Sequence, residues 1–271
     1  MRVLGRRPDG YHFIESLFAP LELADEVALE VSPARSVAVT LELEGDEPGI
    51  PVGEENLAVR AARLFLDARD ERARLRIRLR KRIPAGAGLG GGSSDAGAVL
   101  AGLARHLPME RPRLHELALR LGADVPFFLE PGPKLAEGAG ERLTPLELPQ
   151  DFWVLVALEP GAVKRSTGEV YARFDELGGG PGFDERRVQL LSALASCRRP
   201  RDLAALPPND LAEAAGASPL PARLRAAGAF RADVSGAGPA VFGLFQRRDE
   251  AHAAASALPS GVRSWAVAAV W

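Results

Sequence analysis

Five glycines and two serines fall within the thirteen residues Pro84-Ala85-Gly86-Ala87-Gly88-Leu89-Gly90-Gly91-Gly92-Ser93-Ser94-Asp95-Ala96. Glycines lacking a Cβ let a backbone curl until consecutive N–H groups face an anion. A helix opening directly after such a run adds unpaired first-turn amides and the positive end of its dipole. Ser93 and Ser94 add hydroxyl donors. Chemically the segment reads as a polyphosphate cradle. A second candidate is Asp124, in Leu121-Gly122-Ala123-Asp124-Val125-Pro126-Phe127-Phe128. A carboxylate there can serve as a general base, or cap the next turn.

Three rival readings of the glycine run differ in what must surround it. Gly86, Gly88 and Gly91 satisfy G-x-G-x-x-G, but a dinucleotide unit needs an acidic strand end about 20 residues on. That region is Arg105-His106-Leu107-Pro108-Met109-Glu110-Arg111-Pro112, which reads as a loop. A nucleoside-triphosphate loop of the G-K-[ST] type needs a lysine after the last glycine, and none is there. A flexible linker would not be flanked by a strict strand and a patterned helix.

The elements around these residues follow from periodicity. Alternation predicts strands through Val27-Leu29-Val31, Val37–Leu43 and Leu75-Ile77-Leu79. The last alternates with Arg74, Arg76, Arg78 and Arg80, which reads as a solvated face before it reads as a polyanion patch. Leu57, Ala61, Leu64 and Phe65 share a helical face, as do Ala96, Val99, Leu100 and Leu103. A further helix is expected over 114–121, with short strands near 135–137 and 143–148. Trp153–Leu158 reads as an apolar strand. Ser166-Thr167-Gly168-Glu169 reads as a capping box, and Gly178–Gly182 as a loop. Helices are expected around 185–196, 209–216, 220–227 and 248–257, and strands at 240–245 and 262–270. Strands and helices mix throughout, so the class is α+β, with units expected at 1–149 and 150–271.

Composition narrows the field further. Of 271 residues, 46% are hydrophobic and 26% charged, with a net charge of −2, so neither nucleic acid nor an anionic membrane is implied as partner. One cysteine, Cys197, can form neither an internal disulfide nor a cysteine cluster. No apolar run nears the roughly 20 residues of a membrane span. A cytoplasmic protein is expected.

Several motifs together resemble one family. Pro84-x-Gly86-x-Gly88-Leu89-Gly90-Gly91-Gly92-Ser93-Ser94 is similar to the phosphate-binding motif of GHMP kinases, in the form typical of their diphosphocytidyl-methylerythritol branch. Asp9-Gly10-Tyr11-His12, Glu55-Asn56-Leu57, the Asp124 segment, Ala136-Glu137-Gly138-x-Gly140-Glu141, Pro207-x-Asn209-Asp210-Leu211 and Ser235-Gly236-Ala237-Gly238-Pro239-Ala240 follow in the family's order. The resemblance covers the chain from about Val3 onward.

It implies an N-terminal ribosomal-protein-S5-domain-2-like domain and a C-terminal ferredoxin-like α/β sandwich. It implies ATP with Mg²⁺ as donor, a small cytidine-bearing alcohol as acceptor phosphorylated on its 2-hydroxyl in non-mevalonate isoprenoid synthesis, and a monomer or weak homodimer. Asp124 would take the hydroxyl proton. Residues Pro84 to Ser94 would hold the ATP phosphates, with Asn56 and Lys81 near the adenosine. Tyr11, His12, Phe18 and Tyr171 would form the cytidine pocket, Tyr11 and Tyr171 stacking and His12 hydrogen-bonding, with Thr167 and Gly236 also touching substrate. Tyr11 and Tyr171 are the only two tyrosines, which favours cytidine over the homoserine or mevalonate type of substrate.

Family members also carry a strand P-A-K-x-N-L ahead of D-G-Y-H, whose lysine assists transfer. Only eight residues precede Asp9, none of them Lys or Asn. A start placed late at an internal Met is expected, with Val3-Leu4-Gly5-Arg6 as that strand's tail; a truncation and a short form that binds nucleotide with little or no turnover are the alternatives. Loss of that strand would expose sheet edge.

Overall fold

The computed structural model describes residues 1–45, 47, 49–162, 166–179 and 182–271. Lys164 and the Gly180-Pro181 part of the expected loop lie outside them. The chain divides into two compact units, one of residues 23–85 and 90–131, the other of residues 1–22, 86–89 and 132–271.

In the first unit a three-stranded sheet has β3 (Glu26–Pro33) and β4 (Ala38–Glu44) on either side of β5 (Ala73–Arg80). β3 runs antiparallel to β5, and β4 parallel to it. The parallel pair needs a crossover, which α1 (Leu57–Ala68) supplies. Strict alternation in β5 puts Leu75, Ile77 and Leu79 inward, each fully buried. There Leu75 and Ile77 join Phe65 and Leu66 of α1, Leu100 and Leu103 of α2 (Gly91–His106), and Leu117 of α3 (Arg111–Leu121) in one core. At Gly102 a Cβ would lie 2.7 Å from Leu29 Cδ1, so a larger residue there would make the Leu29 side chain shift. The arginine row faces outward and is answered by glutamates of the flanking strands: Arg76 lies 3.3 Å from Glu42 and 3.7 Å from Glu30, and Arg78 lies 3.2 Å from Glu30. These half-exposed pairs make a solvated face and add little stability.

The second unit holds two sheets. One has the order β1 (Arg2–Arg6), β2 (His12–Phe18), β6 (Lys134–Gly138), β7 (Arg142–Pro145), with β1 at its edge. The other has the order β11 (Arg263–Ala268), β8 (Trp153–Leu158), β10 (Val241–Phe245), β9 (Arg231–Val234), all antiparallel. Counting only its own strands, that order is 4-1-3-2, the ferredoxin-like arrangement expected of the C-terminal part. Leu220 and Leu224 of α7 (Leu220–Ala226) and Ala251 and Ala254 of α8 (Arg248–Ser256) cover one face. The helices α4 (Thr167–Glu176), α5 (Phe183–Ser196) and the short α6 (Ala212–Ala215) complete the unit.

The grouping is not sequential, unlike the expected boundary at 149/150. Residues 1–22 and 132–149 join the C-terminal part because β2 pairs with β6 across more than a hundred residues. Neither β2 nor the four-residue β9 was expected as a strand. In β2, Ile14, Glu15 and Ser16 are all buried in succession, so the period-two signal is absent. The expected helix over 209–216 shrinks to α6. Its opening is taken by Asn209, whose Oδ1 accepts from the Leu211 amide at 3.0 Å.

Candidate active site

The glycine–serine loop ends where α2 begins. Gly90 is its N-cap, in the left-handed conformation at φ 72°. The first intrahelical bond runs from the Ser94 amide to the Gly90 carbonyl at 2.8 Å. The amides of Gly91, Gly92 and Ser93 therefore precede the helical ladder. No acidic side chain occupies the first turn, so the positive end of the dipole is left for an anion. Ser94 donates its hydroxyl to the Gly91 carbonyl at 3.0 Å, bracing the turn.

Asp124 stands immediately before a 3-10 turn, Val125–Leu129, and is exposed. That turn packs on α2. A Cβ at Gly97 would lie 2.7 Å from Phe128 Cβ, and one at Gly90 would lie 3.2 Å from the Phe128 ring. Asp124 is thus four residues from a side chain that lies against the first residues of α2, within the same unit.

The earlier half of the loop, Gly86 to Leu89, is fixed within the other unit. The Ala87 carbonyl accepts from the Ala240 amide at 3.0 Å, and the Gly88 carbonyl from Ser235 Oγ at 3.2 Å. The second glycine-rich motif is held by Asn209, which donates to the Val234 carbonyl at 3.1 Å and to the Gly236 carbonyl at 2.7 Å. Gly236 itself has φ 55°, and a Cβ there would sit 3.5 Å from the Gly88 carbonyl. Pro84 is buried, while Ala85 is exposed and its amide donates to Glu47.

The expected cytidine residues are only partly brought together. The His12 ring stacks on Tyr171 with centroids 4.6 Å apart and an angle of 22°. His12 Nε2 lies 2.8 Å from Asp175 Oδ1. Thr167, Tyr171 and Asp175 fall at i, i+4 and i+8 of α4, on one face. That helix opens with the expected capping box of Ser166 and Glu169. Tyr11, in contrast, is 67% exposed at the tip of the Asp9-Gly10 turn. Tyr171 stacks on His12, while Tyr11 is turned to solvent. Phe18 closes the same strand that His12 opens. Six residues of strand span about 20 Å, so Phe18 cannot share one ring stack with His12 and Tyr171.

Two residues expected near an adenosine have other partners. Asn56 is the N-cap of α1: its Oδ1 accepts from the Ala58 amide at 2.9 Å, and its Nδ2 donates to the Pro51 carbonyl at 2.8 Å. With both ends of a buried amide used, Asn56→Ala should destabilise the protein by about 1–2 kcal/mol. Urea denaturation of the variant measures this directly. Lys81 has a side chain only 6% exposed and donates to both Asp25 and Asp95. Burial works against its charge, yet these two carboxylates outweigh that and hold its pKa above the usual lysine range. Burial pushes the Asp95 carboxyl up to about 7; its bond to Lys81 opposes the rise, and the Asp25 charge adds to it.

Sequence reasoning missed Asp25, Asp95 and Asp175 as partners. Asp95 was visible as the residue following Ser94. The other two lie 56 and 163 residues from the side chains they meet, with no local signal. Among the described residues no helix is long and apolar enough to cross a membrane.

A glycine-rich loop opening a helix, an exposed carboxylate at the head of the turn packed on that helix, and a ferredoxin-like unit fit a small-molecule kinase of the GHMP class. The family model of the GHMP kinases N terminal domain matches residues 56–132, and that of the GHMP kinases C terminal matches residues 221–263. Within that class the chain belongs to the 4-diphosphocytidyl-2-C-methyl-D-erythritol kinase family. A relative of that name from Symbiobacterium thermophilum is 44% identical over 259 residues, 91% of this chain and 87% of its own length. One from Deinococcus radiodurans is 40% identical over 276 residues, 99% of this chain and 88% of its own. A crystal structure of 4-(cytidine 5'-diphospho)-2C-methyl-D-erythritol kinase superposes with a TM-score of 0.78 at 40% identity, covering 100% of this chain and 95% of that one. Homoserine kinase from Cytophaga hutchinsonii, at 18% identity and a TM-score of 0.68, shares the fold.

Proposed function

We propose that this protein transfers the γ-phosphoryl group of ATP to the 2-hydroxyl of 4-diphosphocytidyl-2-C-methyl-D-erythritol, in the non-mevalonate route to isoprenoids and in the cytoplasm. The observation that carries the reading is the placement of Asp124 at the head of the turn Val125–Leu129, whose Phe128 lies against the start of α2. Phosphoryl transfer asks a protein mainly for positioning and charge stabilisation. The amides of Gly91, Gly92 and Ser93 bind the phosphates. Asp124 accepts the proton of the attacking hydroxyl as the oxygen–phosphorus bond forms. His12, with Tyr171 and Thr167 on α4, orients the cytidine end, and Gly236 lines its approach.

Mg²⁺ is taken to arrive on the nucleotide, as MgATP, where it would shield phosphate charge. The two family matches fall inside residues 1–149 and 150–271, which we take as the nucleotide-binding and second domains.

The test is ADP release that requires both ATP and the cytidine-bearing alcohol; release unaffected by omitting the alcohol, or obtained equally with homoserine or mevalonate, defeats the assignment. A sharper test of the cytidine end is Tyr171→Ala. Loss of one stacking ring should weaken binding of the cytidine-bearing substrate about tenfold or more and leave ATP binding unchanged, as read by calorimetry with each ligand.

A further inference from the structure

Directly behind the first residue of α2 lies a buried ionic group that the proposed chemistry does not use. Lys81 Nζ is 3.5 Å from where a Cβ on Gly91 would stand. It bridges Asp25, whose side chain is 1% exposed, and Asp95, whose side chain is 5% exposed. The two carboxylates are not equivalent. Asp25 accepts from Lys81, from the Arg82 amide at 2.6 Å and from the Ile83 amide at 2.9 Å. Three donors satisfy both of its oxygens. Asp95 accepts from Lys81 on Oδ2 at 2.8 Å, and its buried Oδ1 has no hydrogen-bond partner.

One ammonium therefore serves two buried carboxylates, one of which is under-satisfied. Such a group sheds its excess charge by keeping a proton on the poorer site. Among the described residues, Lys81 and Asp25 are the charges that act on Asp95. Neighbouring α1 approaches Gly92 through Leu57, and the turn Val125–Leu129 meets α2 through Phe128, both apolar.

We infer that Asp25, Lys81 and Asp95 are the positioning device of the phosphate loop, and that Asp95 works as the neutral acid, so that a polyphosphate bound at the mouth of α2 draws a proton onto this buried side chain. The inference rests on the nucleotide-loop reading proposed above. An ionised Asp95 would set a second negative charge behind the amides that grip the phosphate; the acid form leaves Lys81 and Asp25 neutral as a pair. Lys81 is on this account a positioning residue that acts through α2.

The test is calorimetric titration of MgATP into the full chain at pH 7.5, in MOPS and in Tris, whose ionisation enthalpies differ. The wild type should show a buffer-dependent enthalpy corresponding to net proton uptake, and an affinity that falls about tenfold between pH 6 and pH 8.5, the order expected of one added charge. Asp95→Asn mimics the neutral acid and subtracts proton exchange by the nucleotide itself; its affinity should stay flat over that range and its uptake should vanish. Asp25→Asn leaves Asp95 alone with Lys81 and hence ionised, so uptake should vanish there too although Asp95 is intact, which a merely space-filling role would not produce. Tight MgATP binding with equal proton uptake in the wild type and Asp95→Asn overturns the inference.

Thermal melts test the same proton without nucleotide. A carboxyl raised from 3.8 to about 7 in the folded protein supports folding most at low pH and loses that support as pH rises through this window. The gap in Tm between Asp95→Asn and the wild type should widen in favour of the variant from about pH 4 to about pH 7 and then level off. A constant gap overturns the inference. Failure of a folded wild type to bind MgATP, with the widening gap present, overturns the nucleotide reading and with it the coupling to polyphosphate, while the proton stays assigned to Asp95.

Discussion

Asp124→Asn is expected to lower turnover by about 10²- to 10⁴-fold, the usual contribution of a positioned general base. Affinities for ATP and for the cytidine-bearing substrate should stay within about twofold. The argument is geometric. Asp124 is exposed, so the substitution removes no buried charge and leaves no cavity. Its backbone, at φ −84° and ψ −18°, suits asparagine as well as aspartate. Its carbonyl, which accepts from the Phe127 amide at 3.2 Å, is untouched. The substitution removes the capacity to take a proton. Steady-state kinetics with calorimetry on the same variant separate the effects. A variant that keeps wild-type turnover rules out the proposed base, and one that loses binding of both substrates assigns Asp124 to loop structure.

Gly88→Val should be the most damaging change in the loop. Gly88 has φ 79°, where a β-branched residue costs about 1–3 kcal/mol by backbone strain alone. A Cβ there would also lie 2.5 Å from the Gly238 carbonyl and 3.0 Å from the Ser235 carbonyl. Both obstacles are backbone, held by Asn209 and the Ser235–Gly88 bond, and cannot swing aside. The loop must therefore move off the second glycine-rich motif. ATP affinity is expected to fall by about a hundredfold or more, since amide positioning sets it. Gly161→Val separates the two causes: its φ is 67°, but nothing lies within 4 Å of a Cβ. That variant should lose some stability and keep ATP binding. Equal ATP affinities in the two variants would show that contact between the glycine-rich motifs has no part in holding nucleotide.

The strands β3, β4 and β5 were legible because each has one apolar face, so period-two alternation is written directly into the sequence. The helix α1 was legible because Leu57, Ala61, Leu64 and Phe65 share one face, and the start of α4 because Ser166 and Glu169 form a capping box. β2 was not, because it is buried on successive residues and owes its pairing to β6. The reach of a local signal is a few residues, and β2 lies beyond it.

The same division runs through the candidate site. The loop from Pro84 to Ser94 and the Asp124 segment could be read from the chain, since a run of glycines before a helix has one economical use and their order matches one family. What the sequence determined by itself was therefore the class of chemistry and the family. Only the tertiary structure decided that Lys81 turns inward to Asp25 and Asp95, that His12 stacks on Tyr171 and meets Asp175, that Tyr11 points to solvent, and that Phe18 stands a strand's length away. The physical reason is that a buried charge or a ring must find its partner among whatever the sheet order brings alongside, and strand pairing joins residues that the chain keeps far apart.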